Sequence, residues 1–426
     1  MPAASAALAE PGVEHTESKE RAITVPAYLT RFSCLGGACE DNCCTAGWNI
    51  AIDVRTMARY QAATGDWGPR LRDAVVRNPA RKATAEDFGR LKLDQHRQCP
   101  FFTPEGWCGV QQQLGEEWLS NVCLSYPRRT VLLDGQLERA ASLSCPEIAR
   151  LALLSPAAME PVVIDEPKNT RVAFTGILSR AGLEEDHPRR LIAPIRQGCL
   201  ELFRHTESAI EARLVALGLA LQRLDRWSKL GLDDVEAVFA AYTAELPAVE
   251  EQLASLTAEP AVQLELLREL TIERLATGRL IRSPRFEACI ARLGRGLRLG
   301  LSSVGGETIE LYSRALREIY QPFVRTRPHI LDNYIQNQLW AGAFPFGGRR
   351  LLDDYALLVL RFALIRLLLV GAAAGCGELN DSAVVEVIQP FERAVTHDPG
   401  FLKHVLAVLR RNRSVNLPFL ATLIVS

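Results

Sequence analysis

The placement of cysteine constrains this chain more than any other feature. Eight of its 11 cysteines fall between Cys34 and Cys145, and the rest of the 426 residues hold only Cys199, Cys289 and Cys376. The eight are Cys34, Cys39, Cys43 and Cys44, spaced C-x4-C-x3-C-C, then Cys99, Cys108, Cys123 and Cys145. Disulfides belong to oxidising compartments and to domains too small to build a core. A chain of this length needs no such staples, and its opening MPAASAALAEPGVEHTESKE lacks the basic and apolar segments of a secretory signal. Soft thiolates at short spacing in a reducing compartment select zinc or iron–sulfur clusters. All eight are therefore candidate metal ligands. One four-ligand site with four supporting cysteines and two four-ligand sites fit the count equally.

The neighbours of these cysteines suit ligation. Gly36 and Gly37 let the backbone double back between Cys34 and Cys39, and such loops aim N–H groups at sulfur. Cys43 and Cys44 are adjacent, so their side chains diverge if the backbone is extended. Cys99 opens CPFF, Cys108 closes TPEGWC, and Cys123 ends an expected helix over Val110–Val122. Ser144 is an expected helix cap before Cys145, with Pro146 in the first turn. His96, three residues before Cys99, is an extra candidate ligand or a solvated histidine.

Away from the cysteines the pattern predicts a mainly α protein. A disordered tail over 1–21 is followed by a loop-rich cysteine-cluster module over 22–153, carrying a short β hairpin around Asp134-Gly135. WNIAID reads as a strand, Asp53 as the cap of the helix after it, and Ala83–Leu93 as a helix. Residues 154–170 read as a linker, and 171–426 as a multi-helix region punctuated by prolines, Pro390 among them. Within it, 351–375 is apolar but broken by Asp353, Asp354, Arg361 and Arg366, which predicts a buried core helix rather than a membrane span. The net charge of −1 argues against a nucleic-acid partner, and the expected location is the cytoplasm.

No Walker loop, H-E-x-x-H, G-x-S-x-G or strand-borne G-x-G-x-x-G is present. Two segments stand out otherwise. Tyr126-Pro127-Arg128-Arg129 presents arginines suited to an anionic group or forms a surface turn. LDNYIQNQLWAGAFPFG (331–347) sets amides beside aromatics, which either line a pocket or pack a helix.

The ordered run Cys34–Cys39–Cys43–Cys44 with Gly47-Trp48, CPFF at 99–102, CGVQQQLG at 108–115, CLSYPR at 123–128 and LSCPEIAR at 143–150 resembles the flagellin lysine N-methylases, as does NYIQNQLWAGAFPF at 333–346. A family of small cysteine-cluster chelators has a C-x3-C-x2-C-C motif tighter than the one here, and the radical S-adenosylmethionine motif C-x3-C-x2-C is not met. The resemblance implies a methyltransferase that moves methyl groups from S-adenosylmethionine to lysines of flagellin, with a [4Fe–4S] cluster on the cysteines. The alternative is a non-catalytic zinc- or iron-chelating protein. Neither catalytic residues nor a pocket for S-adenosylmethionine is assigned by the sequence.

Overall fold

A computed structural model of the chain describes residues 20–425, apart from Ala46, 180–181, 183–187, 226–230, 257–258, 277–282, 300–303, Ala343 and 348–349. The expected tail lies outside the described residues as far as 19, and a strand begins at Glu20. In chain order the strands are β1 (Glu20–Pro26), β2 (Ala51–Ile52), β3 (Val75–Arg77), β4 (Gly89–Leu91), β5 (Arg128–Leu133), β6 (Gln136–Ala141), β7 (Pro161–Pro167) and β8 (Phe174–Leu178). They form two sheets, ordered β7-β1-β6-β5-β8 and β2-β4-β3; helices make up most of the remainder.

The expected hairpin is β5–β6, in register from Arg128↔Ala141 to Leu133↔Gln136. Asp134 and Gly135 close it with φ of 51° and 87°, the positive pair of a two-residue turn that matches strand twist. β7 falls inside the stretch expected as a linker and pairs with β1 along its whole length. The prolines at its ends suit an edge strand, where missing ladder donors do no harm. Two helix expectations fail nearby. Ala83–Leu93 contains β4 instead, the middle strand of its sheet, where a side chain at Gly89 would run into the Met57 side chain and the backbone of Val76. Val110–Val122 is cut at Gly115, whose φ is 94°. Ser120 then caps a new helix, Asn121–Ser125, with Cys123 inside it rather than after it.

The stretch over 171–426 expected as multi-helix opens instead with β8, which pairs in parallel with β5; helices follow from Ile192 to Ile424. Pro390 lies inside Asp381–Thr396 rather than at its boundary. Leu351–Cys376 is long and apolar enough to cross a membrane by length and composition, but 94% of its most apolar stretch is buried in the protein. The charges that interrupt it are answered. Arg366, 1% exposed, donates to the carbonyls of Ile424 at 2.6 Å and Leu423 at 2.8 Å, a cation at the end of the last helix. Arg361 pairs with Glu392, and Asp353 with Arg410.

Two hydrophobic cores result. The smaller gathers residues from Ile50 to Leu119, including Met57, Leu71 and Phe101. The larger joins β1, β6 and the helix Pro146–Leu153 to the C-terminal helices.

Candidate metal centre

The eight clustered cysteines all line one cavity of about 390 Å³. The first loop reaches it through short turns at Gly36–Ala38 and Cys43–Thr45. Gly36, at φ 53°, lies against the ring of Trp107, and Gly37 against the Glu105–Gly106 backbone. This close approach seats the first cysteine loop on the 103–108 turn. Asn42 clips the two together: its side chain donates to Gly106 O at 3.1 Å and accepts from Cys44 N at 2.9 Å. Cys99 N donates to Cys44 O at 2.9 Å, and Phe102 bridges to Cys108. Cys108 caps the helix Gly109–Leu114. Cys145, rather than Ser144, caps Pro146–Leu153, with Pro146 in the first turn as expected.

The Cys44 thiol has Cys108, Cys43 and Cys99 as its sulfur neighbours. Sharing of its one S–H with these neighbours pushes the Cys44 thiol up and lowers all three, Cys108 to about 6. Backbone N–H groups add to the preference for thiolate: Phe101 at Cys99, Gln111 and Val110 at Cys108. Burial holds Cys123 and Cys145 up at about 12. Cys34, Cys43 and Cys123 are nonetheless exposed; the surface they expose is cavity wall. Gly36 N donates to Cys34 Sγ at 3.5 Å.

The C-terminal helices hold this loop from behind. Arg393, 3% exposed, donates to Asp41 O at 2.6 Å and Asn42 O at 3.0 Å. It also pairs with the Asp41 carboxylate at 3.1 Å and lies over Trp48, 5.2 Å from the ring centroid. Gln389 donates to Asp41 Oδ2 at 2.8 Å and Ser144 O at 2.9 Å. His397 stacks on Trp48 with centroids 4.2 Å apart and bonds through Nε2 to Ser144 Oγ at 2.8 Å. Burial, helped by Arg129 and Arg393, holds its pKa at about 4, so the ring is neutral near pH 7.

The structure thus gathers every candidate cysteine, Cys34, Cys39, Cys43, Cys44, Cys99, Cys108, Cys123 and Cys145, and leaves Cys199, Cys289 and Cys376 elsewhere. His96 bonds to Gln95 and Asp94 and is not part of the cavity wall. The sulfurs stand around a space instead of meeting at a point. Among the described residues no group of three or more His, Cys, Asp or Glu side chains is arranged to hold a metal ion. The residues that sequence reasoning missed are Asn42, Gln389, Arg393 and His397. Gln389, Glu392 and Arg393 are buried polar residues in an otherwise apolar run of helix, and that run was the available signal.

The family described as FliB lysine N-methylase C-terminal domain matches residues 196–423. Proteins named lysine-N-methylase from Salmonella typhimurium and Salmonella choleraesuis are each 26% identical over 415 residues, covering 91% of this chain and 94% of theirs. The flagellar biosynthetic protein FliU of Salmonella muenchen is 35% identical over 148 residues, 33% of this chain and 82% of its own. No solved structure matches. With more than half of its length covered by the family's own pattern, and near full-length relatives beside it, the chain belongs to the FliB lysine N-methylase family.

Proposed function

We propose that this protein methylates lysine side chains of flagellin with S-adenosylmethionine as donor, in the cytoplasm, with a [4Fe–4S] cluster held by some of the eight cysteines. The observation that carries the reading is the convergence of all eight on one cavity, in a chain whose relatives of nearly equal extent are named lysine-N-methylase. The donor set fits the group. Thiolate is favoured at Cys43, Cys99 and Cys108 by the neighbouring Cys44 thiol, whose one S–H serves one of them at a time, and at all three also by backbone N–H groups, as cluster sulfurs require. A single zinc ion takes four ligands around one point, whereas a space of 390 Å³ suits a many-atom cluster. Such a cluster would supply an iron able to act as a Lewis acid or an electron carrier.

The protein's own part concerns the lysine. In a methyl transfer the amine lone pair forms a bond to the methyl carbon as the carbon–sulfur bond of the donor breaks, so the amine must first lose its proton. Apolar wall residues such as Phe32, Trp48, Ile50 and Phe101 exclude water and disfavour the ammonium form. Arg128, on the same wall, acts in the same direction through its charge. Glu116 and Glu147 border the cavity too, and their charge attracts an incoming lysine before it is desolvated.

Two measurements test the reading. Protein purified without oxygen should be brown and contain iron and acid-labile sulfide. Flagellin produced with it should gain methyl mass on lysine, and replacing Cys44, Cys99 or Cys108 by alanine should abolish that gain. A colourless zinc protein would refute the cluster, and flagellin of unchanged mass would refute the activity.

A further inference from the structure

Behind the hairpin lies a second cavity that the cysteines do not share. β5 opens with two arginines on opposite faces of the strand. Arg128 borders the cysteine cavity, while Arg129 borders a polar space of about 180 Å³, with Ser142, Asn337, Gln338, Arg361 and Glu392. A neighbouring space of about 170 Å³ shares Gln338, Gly342 and Arg361 with it.

The charges around this space do not cancel. Arg361 donates to both oxygens of Glu392 at 3.1 and 3.0 Å, and the hydroxyls of Tyr334, at 2.7 Å, and Thr396 complete that carboxylate. Asn337 is also satisfied, donating to Ala141 O at 3.1 Å and accepting from Tyr28 at 2.7 Å. Arg129 donates only through Nε, to Ala341 O at 2.7 Å. Among the described residues its two terminal nitrogens have no acceptor and the Gln338 amide makes no hydrogen bond. Burial and the nearby Arg361 push the Arg129 pKa below its usual value, as expected of a cation without its counter-ion.

A free guanidinium fork matches the two oxygens of a carboxylate. Glu392 close by disfavours a doubly charged anion such as phosphate. The space is below the roughly 300 Å³ at which pockets for drug-sized ligands begin, so it takes a small molecule or one end of a larger one. Asp354 borders the neighbouring space and brings a negative charge within the same region. We propose that Arg129 and Gln338 form a binding site for the carboxylate of an α-amino-acid-type ligand. Its two sources are a free amino acid and the amino-acid end of a sulfonium donor or its thioether product. The assignment does not depend on the methyl-transfer reading, because a free amino acid is itself a probe.

Calorimetry on the full chain, purified without oxygen, tests it with L-methionine, S-adenosylhomocysteine, 5′-methylthioadenosine and inorganic phosphate. At least one carboxylate-bearing probe should bind, and its affinity should fall on the order of tenfold or more in Arg129→Gln, the loss of a charged hydrogen-bond pair. Gln338→Glu places a like charge at the site on a partly buried helix position, so it keeps the test valid if Arg129→Gln fails to fold; it should weaken the same probe. L-methionine binding as tightly as S-adenosylhomocysteine identifies the free amino acid as the source, and tighter S-adenosylhomocysteine identifies the donor or product. The proposal is overturned if neither carboxylate probe binds the wild type, if both variants bind as the wild type does, or if phosphate binds equally well.

Discussion

Gly106 is the position where a single methyl group should separate the two halves of the cysteine site. A Cβ built there lies 2.6 Å from the Cα of Gly37, against an ordinary contact range that starts at 3.4 Å. The neighbouring atoms are backbone, so no side chain can swing away, and the 34–45 loop must back off by about 0.8 Å. Productive metal geometry tolerates about 0.5 Å. The φ of Gly106 is +82°, which adds roughly 1 kcal/mol for a residue with a Cβ, on top of about 1–3 kcal/mol for overpacking. Gly106→Ala should therefore cost about 2–4 kcal/mol locally, enough to cut bound metal severalfold. Neither large-core residues nor the helices are touched, so the main thermal transition should hardly move. Elemental analysis of anaerobic protein reads the first effect. Iodoacetamide labelling of metal-stripped protein reads the displaced loop, with Cys39 and Cys108 more accessible than in the wild type. A Gly106→Ala protein with wild-type metal content and wild-type labelling would refute the idea that the close approach of these loops builds the site.

Arg393→Met should be costlier, about 3–5 kcal/mol, because it leaves the Asp41 carboxylate without its cation, held by Gln389 alone, and the carbonyls of Asp41 and Asn42 without their arginine donor; urea midpoints check it, and a loss under 1 kcal/mol would contradict it. In metal-stripped protein the alkylation rate of Cys108 should rise through a midpoint near pH 6, the value set chiefly by the neighbouring Cys44 thiol, while buried Cys199 stays unreactive; a midpoint in the ordinary thiol range would show that Cys44 does not favour the Cys108 thiolate. His397 is held neutral in the fold at a pKa of about 4 against an ordinary 6.5. The unfolded chain therefore binds the extra proton first as pH falls. Its contribution is complete above pH 6.5 and is lost on the way down to pH 4, a decline of about 3 kcal/mol that His397→Phe should flatten in urea titrations at pH 4.5 and 7.

Much of this fold was legible because its signals are local. Asp53 accepts from Thr56 N at 2.9 Å as a capping aspartate should, and Asp134-Gly135 turns the hairpin. The helical segments follow from the 3.6-residue period and the prolines. What failed depended on partners distant in sequence. The run around Gly89 forms a strand because β2 and β3 take its hydrogen bonds from both sides, and no window of sequence contains all three. Likewise 154–170 contains β7 only because β1, far upstream, pairs with it. The cysteines were legible as a set, since one compositional anomaly marks them all. Their supports were not: Gln389 and Arg393 lie about 350 positions from the loop they hold.

The position of the cavity explains why a cysteine module of this kind comes attached to so many helices. Cys44, Cys99 and Cys108 pack with the smaller core, and Cys145 with the larger one. The cavity therefore lies on the seam between two hydrophobic clusters, and either cluster alone supplies an incomplete ring of sulfur. Across the seam the contacts are polar and directional: Arg393 to the Asp41–Asn42 backbone, Gln389 to Asp41, and Arg150 to Glu40 at 2.6 Å. Hydrogen bonds of this type fix orientation more than they add net stability. The helical half thus sets where the first cysteine loop sits, and a bound cluster would in turn join the two cores. By mass action, removal of that cluster should lower the stability of both clusters together, whereas a metal serving the small module alone would leave the C-terminal helices unchanged. Hydrogen exchange on protein before and after chelation separates the two, and unchanged protection in Asp381–Thr396 would show that the helical half does not feel the centre.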